Sequence, residues 1–188
     1  MQIGQSILNK MTLYHGTIYD FNTIDINRGK PNKDFGRGFY TSRVEQHAVS
    51  LAKRNKLIEE TRLVKLGRRL TVTAWLYTYE FDMINLEALS VRDFKTADHE
   101  WVKFVTKNRA SRAKLHDYDI IIGPTANDDT NATIGLYMLG AYGDIDSEEA
   151  IDTFLRLILP ERLPPQIFFG SQKATDTLVF QGRRQILW

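Results

Sequence analysis

Two short segments near the N-terminus carry residue types that suit ligand chemistry: Leu13-Tyr14-His15-Gly16-Thr17 and Asp34-Phe35-Gly36-Arg37-Gly38-Phe39-Tyr40-Thr41-Ser42. An imidazole offers a hydrogen-bond donor or acceptor according to its tautomer. A tyrosine ring offers a flat face to a planar heterocycle. Glycines beside both let the backbone come close to a bound molecule. Together these suit a flat, polar, phosphate-bearing ligand and point to a nucleotide site on a β-scaffold. Asp34-Phe35-Gly36 is not the kinase metal motif, because neither a lysine-bearing third strand nor a His-Arg-Asp loop accompanies it.

The elements that position these residues follow from periodicity and punctuation. Residues 12–15 read as a strand stopped by Gly16, and residues 18–33 as a long basic connection containing Arg28-Gly29-Lys30-Pro31. After a short strand at 39–41, Ser42 and Glu45 form a capping-box pattern. It would open a helix with Val44, Ala48, Leu51 and Ala52 on its apolar stripe and Lys53, Arg54 and Lys56 towards its end. Residues 71–81 are rich in β-branched and aromatic types, which predicts a strand. A helix is expected over 98–109, with Arg109 placed to reach an acidic partner. Residues 118–122 form a buried strand ended by Gly123-Pro124. The loop 125–129 leads to an apolar helix around 132–141, and Ser147 caps a further helix to about 158. Residues 166–169 read as a strand, Ser171 as a helix start and 178–187 as a last strand. With no repeat and no linker, residues 1–188 read as a single α+β domain. The irregular alternation of strands and helices argues against a doubly wound sheet.

The chain has 188 residues, enough for a proper core. It carries no cysteine, which excludes disulfides, thiolate metal sites and cysteine nucleophiles. A net charge of +2 neither demands nor excludes nucleic acid. The basic group Arg62, Lys65, Arg68 and Arg69 reads as a solvated face with no base-reading pattern. The four histidines form no metal-binding spacing. No window approaches the roughly 18 apolar residues of a membrane span, and the first residues lack a secretory pattern. The expected setting is therefore cytoplasmic, with no membrane partner and no metal.

Over about residues 12–180 the chain resembles the ADP-ribosyltransferase fold in its His-Tyr-Glu branch, which includes diphtheria-type toxins and the poly(ADP-ribose) polymerases. His15-Gly16-Thr17 matches that branch's first element, and Gly36-Arg37-Gly38-Phe39-Tyr40-Thr41-Ser42 its second. Gln166-Ile167-Phe168-Phe169 stands where the third belongs. The chain is similar above all to small bacterial proteins that carry an Asp-Phe-Gly-x-Gly-Phe-Tyr segment and a later Gly-Pro-x-Ala-Asn-Asp segment, matched here by 34–40 and 123–128. The resemblance implies a split β-sheet core with peripheral helices. It also implies a mono-ADP-ribosyltransferase that breaks the nicotinamide–ribose bond of NAD through an oxocarbenium-like transition state, as in glycoside hydrolysis.

By this resemblance His15, Tyr40 and Gln166 would be the catalytic set. His15 would bond an adenosine ribose hydroxyl, Gly16 would hold the nicotinamide carboxamide through its backbone, and Tyr40 would stack on the nicotinamide ring. Thr17, Asp34, Gly36, Gly38 and Thr41 would line the NAD site, with Arg28 or Lys30 meeting the pyrophosphate. Gln166 departs from the pattern: a glutamine can bind a ribose hydroxyl but cannot take a proton. Asp128 would then activate the acceptor and Asn127 orient it, with Glu161 a second carboxylate to consider. The substitution is compatible with a single transfer, with NAD hydrolysis, or with a module that binds NAD or ADP-ribose without reacting. The acceptor would be protein, RNA or DNA. The resemblance also implies a toxin-like role with an antitoxin or immunity partner. Taken singly, His15 reads more often as a structural histidine and Tyr40 as a core aromatic, but beside Gly16 and the 34–42 segment the ligand role is favoured for both. Gln166 reads equally as a polar residue opening an edge strand, and Asn127 and Asp128 at least equally as helix caps.

Overall fold

Alternating side chains assemble two sheets that pack face to face; the computed structural model describes residues 9–126 and 128–187. In the first sheet β1 (Lys10–Thr17), β3 (Trp75–Asp82) and β7 (Val179–Gln185) run antiparallel in the order β1-β3-β7. In the second, β2 (Phe39–Thr41), β4 (Val91–Asp93), β5 (Ile120–Pro124) and β6 (Pro165–Phe169) take the order β2-β6-β5-β4. The β4–β5 pair is parallel, and α2 (His99–Ala110) lies between those strands in the chain. The sheets meet at a seam where Tyr14 and Ser42 exchange backbone hydrogen bonds of 2.8 and 2.9 Å.

Each sheet face has its own cover. On the outer face of the first sheet, Leu76, Ala74 and Ile186 pack against Ala48, Val49 and Ala52 of α1 (Glu45–Lys65). Between the sheets, Leu13, Tyr77, Tyr79 and Phe81 meet Phe39, Ile120, Ile167 and Phe169. This is the period-2 alternation of a strand, with Leu76 turned one way and Tyr77 the other. Beyond the second sheet, Ile121, Phe168 and Phe35 pack against Trp101, Val102 and Val105 of α2, Ile134 and Tyr137 of α3 (Asp128–Met138), and Ile151 and Phe154 of α4 (Glu148–Ile158). Fully burying each of the large side chains contributes about 1.5–3 kcal/mol. The short α5 (Gln172–Thr175) links β6 to β7.

The mixed α+β architecture agrees with the pattern read from the sequence, and the caps Asp98, Ser147 and Ser171 each accept a bond from the backbone N–H three residues on. Several local expectations are corrected. Gly16 does not stop β1, which continues to Thr17 with Gly16 opposite Leu76. Ser42 and Glu45 form no capping box. Ser42 is held by the seam and accepts from the Val44 N–H at 3.0 Å, Val44 caps α1 without a side-chain bond, and Glu45 pairs with Arg184. Helix α1 runs on to Lys65, so Lys56 lies inside it, buried, donating to Glu60 and to the Val72 carbonyl at 2.6 Å each. Those bonds tie residues near Val72 to α1, and β3 begins only at Trp75. Of the basic group, Arg62 pairs with Glu59 at 2.6 Å near the helix end.

Candidate functional site

His15 sits on β1 beside the seam. Its ring stacks on Phe39 at 4.3 Å and is edged by Phe21 and Tyr77. A carbonyl only accepts, so the 2.7 Å contact from Nδ1 to the Tyr40 oxygen assigns the proton to Nδ1. Nε2 is then an acceptor, and it makes no hydrogen bond among the described residues. Burial lowers the ring's pKa to about 4, against the Tyr40 hydrogen bond that would raise it, so His15 is neutral at pH 7. The folded pKa is below the unfolded 6.5, so the contribution to stability is complete above pH 6.5 and is lost as pH falls from 6.5 to 4. At about 1.4 kcal/mol per unit this amounts to roughly 3–4 kcal/mol. Titration of the His15 ring proton by NMR is expected to show a midpoint near 4; a midpoint near the ordinary value would refute the enclosed, neutral ring.

Tyr40 follows Phe39 on β2, so its ring points to the opposite face, at 5.0 Å from Phe168 and 6.4 Å from Phe35. Its hydroxyl donates to the Gly36 carbonyl at 2.7 Å and accepts from the Phe35 N–H at 3.0 Å. Burial, reinforced by the nearby Asp34 charge, raises its pKa well above the ordinary value. The structure thus joins His15 to the Tyr40 backbone, while the two rings lie on opposite sides of β2. His116 donates from Nε2 to the Phe35 carbonyl at 2.9 Å and fixes the same turn.

The glycines have a packing reason distinct from the ligand-approach reason expected from sequence. A side chain on Gly16 would start 1.7 Å from the Ala48 carbonyl oxygen of α1. At Gly38 it would meet the Phe168 ring at 2.3 Å and the Phe169 carbonyl at 2.5 Å. Gly36 has φ +80°, a conformation glycine tolerates without strain.

Beside Tyr40 lies a buried polar network. Asp34 accepts from Arg109 Nε and Nη2 on Oδ1, at 2.9 and 2.5 Å, and from the Ala126 N–H and Gln166 Nε2 on Oδ2, at 3.0 and 2.8 Å. Arg109 also donates to Asn131 at 2.7 Å, and Gln166 to the Pro124 carbonyl at 3.3 Å. Asp34 and Gln166 are both buried. Asp34 therefore anchors the glycine turn to α2, β6 and the start of the loop before α3. The acidic partner expected for Arg109 is Asp34, 75 residues away in sequence. Across the strands the register sets Thr41 opposite Ile167, which brings Gln166 to the end of β2 where Ser42 meets Tyr14.

Residues 11–180 match the family described as Protein of unknown function (DUF3990). The chain belongs to this family. No curated protein and no solved structure matches it. The network of Asp34, Arg109 and Gln166, the His15 seam and both glycine segments all lie within the DUF3990 match.

The remaining expected site residues of this DUF3990 chain are placed as follows. Thr17 is buried and its hydroxyl accepts from the Tyr19 N–H at 3.2 Å. Thr41 is buried and donates to the Ile167 carbonyl at 3.1 Å, so its side chain braces β2 on β6. Arg28 and Lys30 are exposed, Arg28 ending a short 3-10 turn at Ile26–Arg28. Asn127 and the side chains of Asp128 and Glu161 lie outside the described residues. Among the described residues no cluster of three or more His, Asp or Glu is placed to hold a metal, and no helix is long and apolar enough to cross a membrane.

Proposed function

We propose that this DUF3990 chain cleaves the nicotinamide–ribose bond of NAD and transfers ADP-ribose to a macromolecular acceptor, as an ADP-ribosyltransferase whose core is the seam between its two sheets. The observation that carries this reading is the hydrogen bond from neutral His15 to the Tyr40 carbonyl across that seam. It groups His15 and Tyr40 on adjoining strands, with Gln166 on the next strand, and leaves His15 Nε2 free to accept from a ribose hydroxyl. In the reaction the bond from ribose C1′ to the nicotinamide nitrogen breaks and its electron pair leaves with nicotinamide, whose ring becomes neutral. An acceptor lone pair closes the new bond to C1′, and the acceptor's proton passes to a base. Gln166 cannot be that base, and Asp34 is held by Arg109. The acceptor must therefore be nucleophilic already or be activated by a group elsewhere, for which Asp128 remains the candidate. Such a protein would act in the cytoplasm as a toxin-like enzyme with an antitoxin or immunity partner.

A second reading has its own support. The Gln166 amide is committed to Asp34 and Pro124, which favours a module that binds NAD or ADP-ribose without turnover. Labelled NAD incubated with the protein and separate protein, RNA and DNA fractions distinguishes the two. Transfer predicts nicotinamide release and label in one fraction, both reduced about 100-fold in His15→Ala and Tyr40→Ala; circular dichroism confirms that the variants fold. NAD retained with no nicotinamide released supports the binding module. Equal nicotinamide from all three proteins, with nothing labelled, removes the transferase reading.

A further inference from the structure

A pocket of about 700 Å³ opens on the inner face of the first sheet, between β3, β7, the 21–24 loop and α5. Phe21, Tyr77, Tyr79 and Phe180 give it aromatic walls. That size and lining are those of a small-molecule site. Two details show that it is built rather than left over.

The first is a β-bulge. Along β3–β7, Tyr77 pairs with Arg183 and Thr78 with Gly182, but Tyr79 pairs with Phe180, so Gln181 is passed over. In an unbroken ladder Gln181 would face Tyr79, and Phe180 would point to the other side. The extra residue turns Phe180 onto the same face as Arg183, 5.9 Å from Tyr79 and 6.3 Å from Tyr77. Gly182, at φ +153°, permits it. The outcome is a large aromatic ring, 55% exposed, at the mouth of the pocket.

The second is the Tyr79 hydroxyl. Tyr79 is 4% exposed and lines the pocket, yet its hydroxyl makes no hydrogen bond among the described residues. None of the polar side-chain atoms described is both shut from solvent and unpartnered, so this hydroxyl opens into the pocket. Burial raises its pKa, which keeps it a neutral donor.

We propose that this pocket binds a nucleobase, stacked on Phe180 and hydrogen-bonded by the Tyr79 hydroxyl. The lining favours an uncharged ring over a phosphate. Its cation, Arg183, is committed to Asp20 at 2.6 Å, the Phe21 carbonyl at 2.9 Å and Asn22 at 3.1 Å. Base–aromatic stacking is tolerant of base identity because every base has a π-face. The base would come from a free nucleotide or from a single strand. The pocket adjoins the His15 ring through Phe21 and Tyr77, but the inference concerns base binding by Tyr79 and Phe180 and does not require NAD cleavage.

Calorimetry on the full chain with AMP, UMP, ribose 5-phosphate and a short single-stranded RNA tests it. AMP and UMP are expected to bind saturably and ribose 5-phosphate not to. Phe180→Ala, on an exposed edge strand, should weaken nucleotide binding about tenfold, and Tyr79→Phe about fivefold. Tighter binding of the RNA than of the mononucleotides, lost in the same variants, assigns the base to a strand; equal or weaker binding assigns it to a free nucleotide. The proposal falls if no nucleotide binds, if ribose 5-phosphate binds as well as AMP, or if both variants bind nucleotide as the parent does.

Discussion

Gly16→Ala is expected to cost at least about 4 kcal/mol of stability, in the range reserved for severe steric or core defects. The added methyl would start 1.7 Å from the Ala48 carbonyl oxygen and 2.6 Å from its carbon. Both are backbone atoms in the first turns of α1, so no rotamer change relieves the overlap. Either β1 bends away from β3 or the N-terminal half of α1 lifts from the sheet, and both routes open the cluster of Ala48, Val49, Ala52 and Leu76. For a chain of this length 4 kcal/mol corresponds to a fall in Tm of about 8–16 °C. Gly135→Ala is the control. Gly135 is an exposed position in α3 with no atom within 4 Å of a new Cβ, and the change should stabilise by about 0.5–1 kcal/mol through helix propensity. Thermal melts of the two variants should move in opposite directions. A Gly16→Ala protein melting within about 2 °C of the parent would show that the helix packed on Gly16 does not require the glycine.

That contrast marks how far the sequence was readable. Signals local in the chain were legible: the helix starts at Ser147 and Ser171, the helix expected over 98–109, and the aromatic strand β3. Signals that depend on distant segments were not. The three-residue strand β4 exists because β5 offers it a parallel partner, and it is too short to alternate visibly. The capping-box pattern at Ser42 was overridden by the Tyr14 seam, a contact between strands that no local propensity encodes. For the candidate site, the types were readable and the partners were not. His15 and Tyr40 stood out by residue type, but only the fold turns their rings to opposite faces of β2. Arg109 reads as reaching an acidic partner, but only the fold identifies that partner as Asp34. The bulge that presents Phe180 arises from a register mismatch between β3 and β7, which neither strand shows alone.

Gln166 yields the second prediction, because the fold commits its amide to a buried carboxylate. On the resemblance to the His-Tyr-Glu transferases, Gln166→Glu would place a carboxylate in the proposed site. In the fold, however, Gln166 Nε2 donates to Asp34 Oδ2 at 2.8 Å, within a buried pair. The substitution replaces a donor by a second carboxylate facing the first. Arg109 bonds the other oxygen of Asp34 and offsets part of the repulsion, but it does not supply the missing proton. The new carboxyl should therefore have a raised pKa in the folded state, where it keeps its proton and donates it to Asp34. A raised folded pKa fixes the sign: the deficit is absent below the unfolded glutamate value of about 4.3, grows as pH rises towards the folded pKa, and is complete above it. At neutral pH the loss should be about 2–4 kcal/mol, somewhat less than breaking a buried ion pair outright. Denaturant melts of parent and variant at pH 4 and pH 7.5 measure it directly. A variant as stable as the parent at both pH values, or one whose deficit is larger at pH 4, would show that Gln166 does not donate to Asp34. If the variant follows the expected course, Gln166 is a positioning residue that holds Asp34 and the glycine turn. A base for the proposed transfer would then have to be sought at another residue.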